Sequence, residues 1–488
     1  MLYLPKPGQM WDPSIVVHEG KYYLFSMFRF HGGDERHVWC AVSEDGVHFS
    51  DVGAVITDTM IVWKMFVRRF GDQFVMNYGS LSGREGHGND TLRFHTSRDL
   101  LHWDFRGQSA DSHPDPRWYC PQGRWDHMYS LEHEGRFYGF VVATADERQN
   151  SFGCGMMESS DGLNWRAMPP LRIDWGDVEP VHFEVGGCEN IGGRYYLIGG
   201  TGCYGGSMGY SVFTFVADSP LGPYRPCPRA YRLCGSSRAD ALPGVQWLAS
   251  FGRGRDGEVL ITNYVTAGRS DTPNFINTKQ NVWLTPIKQA VTDAHGALRM
   301  GWWPANDALK GADRTPAQLR AGLTLTCTRD ANGRPSPADD EAFGHYKLPA
   351  PGERGLFVEG AATLRGDGHR NAARFGFAFQ GDDAVRTVTV QMGRPAYTRA
   401  RIHDQPHLGS PTRTLVDEVE PFHAGKTNVE KDTPFTFKLL CRAGMFELYI
   451  DGLLVQTHLT PEGTSEVCVY IENAHLAVER LAMYDMTL

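Results

Sequence analysis

The chain has 488 residues, a formal net charge of −9 and 12% aromatic residues. Its length asks for more than one core, at the usual ~100–200 residues per domain. The acidic balance, with no Lys/Arg cluster, argues against a nucleic-acid face, and no apolar run approaches the ~18 residues of a membrane helix.

The N-terminus, Met1-Leu2-Tyr3-Leu4-Pro5-Lys6-Pro7-Gly8, lacks a basic stretch followed by an apolar one, so a cytoplasmic location is expected of the sequence as it stands. From there one strand signature recurs. It reads Lys21-Tyr22-Tyr23-Leu24-Phe25, then Gln73-Phe74-Val75-Met76-Asn77-Tyr78, Arg136-Phe137-Tyr138-Gly139-Phe140, Arg194-Tyr195-Tyr196-Leu197-Ile198 and Glu258-Val259-Leu260-Ile261-Thr262-Asn263-Tyr264. The period of roughly 50–65 residues is long for a solenoid and right for a propeller blade of four strands. Turn pairs such as Glu19-Gly20, Glu134-Gly135, Gly192-Gly193 and Asp256-Gly257 precede the copies. Ser43-Glu44-Asp45-Gly46, Ser97-Arg98-Asp99-Leu100 and Ser159-Ser160-Asp161-Gly162, each with an aromatic residue just after, read as a tight turn between strands. These signals predict an all-β fold whose first part, residues 1–310, is a five-bladed β-propeller.

Residues 311–344, rich in Asp, Ala, Pro, Gly and Arg, read as a connecting segment, with a short helix expected at Thr315-Pro316-Ala317-Gln318-Leu319-Arg320. Alternating strands then resume, among them Arg374–Phe379, Thr387–Val390 and Phe435–Leu440, and Phe446–Val455 carries an Asp451-Gly452 turn. Residues 345–488 are expected to form a β-sandwich. The ten cysteines are scattered, with no Cys-x-x-Cys pair, and read as buried free thiols.

Nine or ten residues before each repeat stand Trp11-Asp12, Trp63-Lys64, Trp125-Asp126, Phe183-Glu184 and, one residue out of phase, Gln246-Trp247. Inner strands of a propeller line its channel, so Asp12, Asp126 and Glu184 should converge on one funnel mouth. Glycoside hydrolysis needs such a set: one carboxyl protonates the leaving oxygen, a second acts as nucleophile or as base toward water, and a further acid stabilises positive charge on the sugar.

Trp11-Asp12-Pro13-Ser14-Ile15-Val16-Val17, followed by Gly20-Lys21-Tyr22-Tyr23-Leu24-Phe25, resembles the opening blade of the five-bladed propeller glycosidases. These are glycoside hydrolase family 32 (invertase, inulinase, levanase) and, more distantly, family 43 (arabinanase, xylosidase). Trp125-Asp126-His127 is similar to their Arg-Asp-Pro element, with the Arg displaced to Arg124 and the Pro replaced by His127. Phe183-Glu184-Val185 is similar to their third element, without its Cys-Pro or Ala-Pro pair. The trailing sandwich favours family 32. The resemblance implies catalysis by Asp12 as nucleophile, Asp126 as transition-state stabiliser and Glu184 as general acid, with retention, on a carbohydrate substrate and without a cofactor. Glu189 and Glu179 are rivals to Glu184. Trp11, Trp63, Trp125 and Trp247 are candidates to stack on a sugar ring, blade packing being the plainer reading; Arg124, His127 and His182 are candidates to bind hydroxyls or tune the acids.

Three alternatives stand beside a fructofuranosidase-like hydrolase. One is an inverting arabinosidase or xylosidase. A second is a transglycosylase or phosphorylase, for which Lys64 with Arg68-Arg69 is the only hint of a phosphate site. The third is a carbohydrate-binding propeller without chemistry. Glu132-His133-Glu134 reads as a turn and not a metal site, and Gly205-Gly206-Ser207-Met208-Gly209 as a blade loop, since no helix follows to hold a phosphate.

Overall fold

The computed structural model describes residues 2–487 apart from 34, 58–61, 145–153, 177–182, 202–209, 229–231, 236–247, 268–280, 328–341, 367–372, 392–399, 411 and 420–431. The fold is a five-bladed β-propeller followed by a β-sandwich. The first blade pairs Gly8–His18, Lys21–Phe30, His37–Ser43 and Ser50–Ile56 in chain order. The second, third and fourth blades begin at Met65–Phe70, Trp125–His133 and Glu184–Ile191 and repeat that up-and-down order. The fifth runs Ser250–Arg253, Val259–Thr262, Lys288–Thr292 and Leu298–Trp302, with Tyr264–Ala267 and Asn281–Leu284 as a further hairpin. Each recurring aromatic signature is the second strand of its blade, packed on both faces, which is why it reads as a nearly continuous apolar run. The fifth copy is not continuous: the strand breaks at Asn263.

The first strand of every blade lies against the first strands of its two neighbours, and the fifth against the first, so the ring is closed. Leu2 and Tyr3 bond Leu284 of the fifth blade, tying the N-terminal segment to the end of the ring. Each blade stays a separate sheet, and the outer edges of the second to fourth are short, at Asp104–Phe105, Arg166–Met168 and Arg225–Pro226, which leaves little open strand to protect.

The three Ser-x-Asp turns share one set of bonds. The serine hydroxyl accepts the amide of the residue three positions on, at 2.8 Å from Gly46, 2.9 Å from Leu100 and 2.9 Å from Gly162, while the aspartate takes the next two amides. The residue in the middle is left-handed, with φ 76° at Gly46, 66° at Leu100 and 74° at Gly162.

The sandwich has one sheet ordered Phe343–Leu348, Glu466–Glu472, Arg374–Gln380, Val385–Gln391, Ala400–Gln405, Thr414–Val419. The other contains Leu453–Leu459, Met445–Ile450, Pro434–Arg442, Leu356–Gly366 and Ala474–Met486. Phe375, Phe377, Phe435, Phe437 and Phe446 fill the space between the two. The Asp451-Gly452 turn has φ 46° and 73°, the pair of positive values that a tight hairpin favours. It also joins the two halves: the Trp302 amide donates to Gly452 O at 2.6 Å and Gly301 pairs with Leu453, so the outer edge of the fifth blade continues into the sandwich sheet. Part of the expected connecting segment is itself sheet, because Lys310–Asp313 and Leu323–Thr326 find a free edge along Ala474–Met486. Between them the helix at Ala317–Arg320 forms, with Pro316 as its cap. The nine described cysteines are free, all buried except the half-buried Cys120.

The turns yield a stability contrast. A Cβ at Gly162 would stand 1.9 Å from Phe70 Cδ1, whereas one at Gly20, with φ 76°, meets nothing within 4 Å. Gly20→Ala should therefore cost only the left-handed strain of about 1–2 kcal/mol. Gly162→Ala should cost a further ~1–3 kcal/mol of overpacking, read as midpoint shifts in urea.

Candidate active site

Asp12, Lys64, Asp126 and Glu184 occupy matching places along the chain: Lys64, Asp126 and Glu184 at the start of the first strands of their blades, and Asp12 within the longer Gly8–His18. Their environments differ. The pairing of Gly8–His18 with Lys21–Phe30 slips between Trp11 and Ser14, so Asp12-Pro13 forms a bulge with Asp12 at φ 51°. Aspartate tolerates that left-handed conformation better than most residues, and a bulge re-aims a side chain that a regular strand would point elsewhere. The bulge is held from the fifth blade: Thr262 Oγ1 donates to Pro13 O at 3.0 Å, and the Tyr264 hydroxyl bonds the Asp12 carboxyl. Burial raises the pKa of Asp12, the Lys64 charge lowers it, Glu184 raises it again, and the balance lies above the usual carboxylate value.

Asp126, 1% exposed, accepts the His127 amide at 2.7 Å and Arg124 Nη2 at 2.9 Å. Burial works against its ionisation, but bonding and charge from His127, with the guanidinium of Arg124, outweigh it and hold the group well below the usual carboxylate range. Glu184 opens its strand with its side chain 27% exposed, receiving Tyr210 Oη at 2.8 Å and Arg124 Nη1 at 3.4 Å. Arg124 thus bridges two of the three acids.

Lys64 is 1% exposed and lies among all three carboxylates. Its ammonium donates to Ser250 Oγ and stands 4.9 Å from the Phe66 ring centre. Burial brings its pKa down to about 8 against the opposing pull of Asp12, Glu184 and Asp126. Two glycines make room for this set. A Cβ at Gly79 would stand 1.7 Å from Asp126 Oδ1, and one at Gly200 would stand 1.8 Å from the Tyr210 hydroxyl oxygen.

Other sequence candidates fare differently. Trp125 is fully buried, bonds Ser112 Oγ through its indole N–H at 3.0 Å and packs on Tyr119, so it is a core residue and not a sugar platform. His127 is likewise enclosed, with Nε2 2.9 Å from Val185 O; it orients Asp126 and cannot reach a substrate hydroxyl. Trp11 is almost wholly covered, packed among Phe25, Met27 and Val38. Trp63 is half-buried, with the Arg36 guanidinium 4.2 Å over its ring. His182, Glu179, Gln246, Trp247 and Gly205-Gly206-Ser207-Met208-Gly209 lie outside the described residues. Glu189 is buried against Tyr129 and Arg253, spent in an ion pair away from the other acids. His133, in the declined Glu132-His133-Glu134 run, meets the Tyr195 hydroxyl at 2.8 Å.

Sequence reasoning missed Tyr210 and Tyr264 and read Lys64 only as a blade start or a phosphate ligand. Tyr264 closes the fifth repeat copy, a usable signal; Tyr210 adjoins a stretch with no pattern. Arg68 and Arg69 turn to backbone oxygens of Ser130 and Gly71, so they do not join Lys64 in a basic cluster.

Neither a protein-family model nor a curated protein matches the sequence. Solved structures do match over almost its whole length. A family 32 β-fructofuranosidase of Bombyx mori is similar at TM-score 0.68 and 15% identity, covering 99% of this chain and 92% of that one. Sucrose-6-phosphate hydrolase of Lactobacillus gasseri aligns at TM-score 0.67 and 14% identity, over 97% and 91% of the two chains. Fructan 1-exohydrolase IIa of Cichorium intybus aligns at 0.67 and 12%, over 99% and 96%. At such identities the likeness establishes a shared fold.

The electrostatics of the centre can be tested without a substrate. Removing the Lys64 charge should raise the already elevated pKa of Asp12 further, because the ammonium is its largest stabilising neighbour. Carboxyl-carbon NMR titration of Asp12 in wild type and Lys64→Met should show the ionisation displaced to higher pH in the variant.

Proposed function

We propose that this chain is a retaining glycosidase acting on fructofuranosyl linkages. The observation that carries the reading is the gathering of Asp12, Asp126 and Glu184 from three blades around one buried ammonium, in a fold shared with fructofuranosidases.

Glu184, partly open to solvent, protonates the glycosidic oxygen as the bond to the anomeric carbon breaks. Asp12, whose bulge aims it toward the same space, attacks that carbon, and Asp126, held ionised, stabilises the positive charge on the ring. Water then attacks the glycosyl-aspartate while Glu184 takes back a proton. Tyr210 and Arg124 fix both oxygens of Glu184. Trp63, half-buried with Arg36 over one face of its ring, is the least enclosed of the candidate tryptophans described and the one left to meet a sugar. A binding-only propeller would have no use for a costly buried charge cluster, which active sites characteristically maintain. A phosphorylase is disfavoured because Lys64 is enclosed and Arg68 and Arg69 turn away.

Release of reducing sugar from sucrose, 1-kestose and an arabinofuranoside panel tests the reading, with fructosides expected to be cleaved and arabinosides not. Asp12→Asn should abolish turnover on every substrate, and full activity in that variant would overturn the proposal. Glu184→Gln should lose about 10²–10⁴-fold on sugar leaving groups and far less on activated aryl glycosides. Because Asp12 must be ionised to attack and its pKa is raised, the ascending limb of the pH profile should lie above the ordinary aspartate value of 3.8.

A further inference from the structure

A fully buried ion pair lies where the propeller meets the sandwich. Lys288, on the third strand of the fifth blade's sheet, and Glu447, on the sandwich strand Met445–Ile450, are both 0% exposed, with Nζ and Oε1 2.7 Å apart. The ammonium spends its other two hydrogens on Thr285 Oγ1 at 2.7 Å and Asn263 Oδ1 at 3.1 Å. Glu447 is satisfied in turn by Tyr449 Oη at 2.6 Å and Thr457 Oγ1 at 3.0 Å. Burying two charges costs several kcal/mol per ion before their attraction offsets it, and well-packed apolar residues often serve stability as well or better. An interface that needed only adhesion would not require such a pair.

What the pair holds is the break in the fifth repeat. Before Asn263, Leu260 and Ile261 pair with Gln289 and Lys288; after it, Tyr264 and Val265 pair with Leu284 and Trp283. Asn263 sits at the switch, with Thr285 donating to its Oδ1 at 2.6 Å and the Thr285 amide donating to its carbonyl at 3.2 Å. The residues on either side are the two that grip the Asp12-Pro13 bulge: Thr262 through Pro13 O, and Tyr264 through the Asp12 carboxyl. A continuous run of bonds therefore leads from Glu447 through Lys288 and Asn263 to the candidate nucleophile.

We infer that Glu447, Lys288 and Asn263 are positioning residues, by which the sandwich fixes the aim of Asp12 from the far side of the fifth blade. The inference rests on the glycosidase reading for its consequence in turnover, though not for its geometry. The sandwich is then part of the catalytic apparatus, and its loss would be felt at the nucleophile before it was felt in the fold.

The test uses the full chain. Lys288→Met removes the charge, and Lys288→Met with Glu447→Leu removes both partners, so that a folded protein is retained without the pin. In the folded double variant kcat on sucrose should fall on the order of 10²-fold with KM little changed, the loss expected when a reacting group is displaced by about 1 Å. Amide hydrogen exchange should quicken at Asp12, Ser14 and Asn263–Val265 while the first strands of the second and third blades keep wild-type protection. Lys288→Arg, which keeps a cation at the interface, should recover part of kcat. A lowered melting temperature with wild-type kcat and wild-type exchange at the bulge would make the pair a structural fastening only and overturn the inference. If wild type cleaves no fructoside, the functional reading fails on its own, and the exchange at Asp12 and Ser14 alone decides whether the pin exists.

Discussion

A buried lysine ammonium must be compensated, and in this propeller that requirement organises the centre. Lys64 cannot keep its charge in a buried place without negative charge close by, and the carboxyl groups that act on it are those of Asp12, Asp126 and Glu184, each from a different blade. The dependence is mutual. Three carboxylates gathered in one enclosure would repel one another and take up protons, so Lys64 and Arg124 are what let them coexist with different charges. Asp126, gripped by His127 and Arg124, is held ionised, while Asp12, with the Glu184 charge working against it, is held less firmly. One blade position occupied by Asp, Lys, Asp and Glu in turn thus yields a graded set of acids from a repeated scaffold.

The gradation depends on small departures from the repeat. A regular strand would continue its alternation through Asp12; the bulge interrupts it, at the expense of a left-handed aspartate. Gly79 and Gly200 stand where a side chain would collide with Asp126 or with the Tyr210 hydroxyl. At these places the second strands surrender packing so that polar groups from a neighbouring position can enter. The first strands of the third and fourth blades carry register slips of their own, whereas the Ser-x-Asp turns repeat bond for bond.

The sandwich shares a sheet edge with the fifth blade and contributes Glu447 to a fully enclosed polar cluster. Such clusters punish any member left unsatisfied, so they specify one arrangement of the elements they join. The arrangement specified here includes the switch at Asn263, and through Thr262 and Tyr264 it includes the bulge that carries Asp12.

The propeller, the sandwich after it and the places of Asp12, Asp126 and Glu184 were legible in the sequence because they follow from periodicity. A repeated strand implies a ring, and a ring brings equivalent positions together whatever their sequence separation. The Asp451-Gly452 hairpin was legible for a local reason, since few other residues adopt its two positive φ values. What only the tertiary structure decided is which side chains reach into the space so created. Trp125 and Trp63 stand at matching places, yet Trp125 is enclosed and Trp63 is only half-buried, because enclosure depends on the neighbouring elements and not on the strand itself. Tyr210, the partner of Lys64 in Ser250, and the pairing of Lys288 with Glu447 across 159 positions join residues with no common period. A one-dimensional pattern records repeats and turns; it carries no trace of contacts made once, between unlike elements, by the closing of the chain on itself.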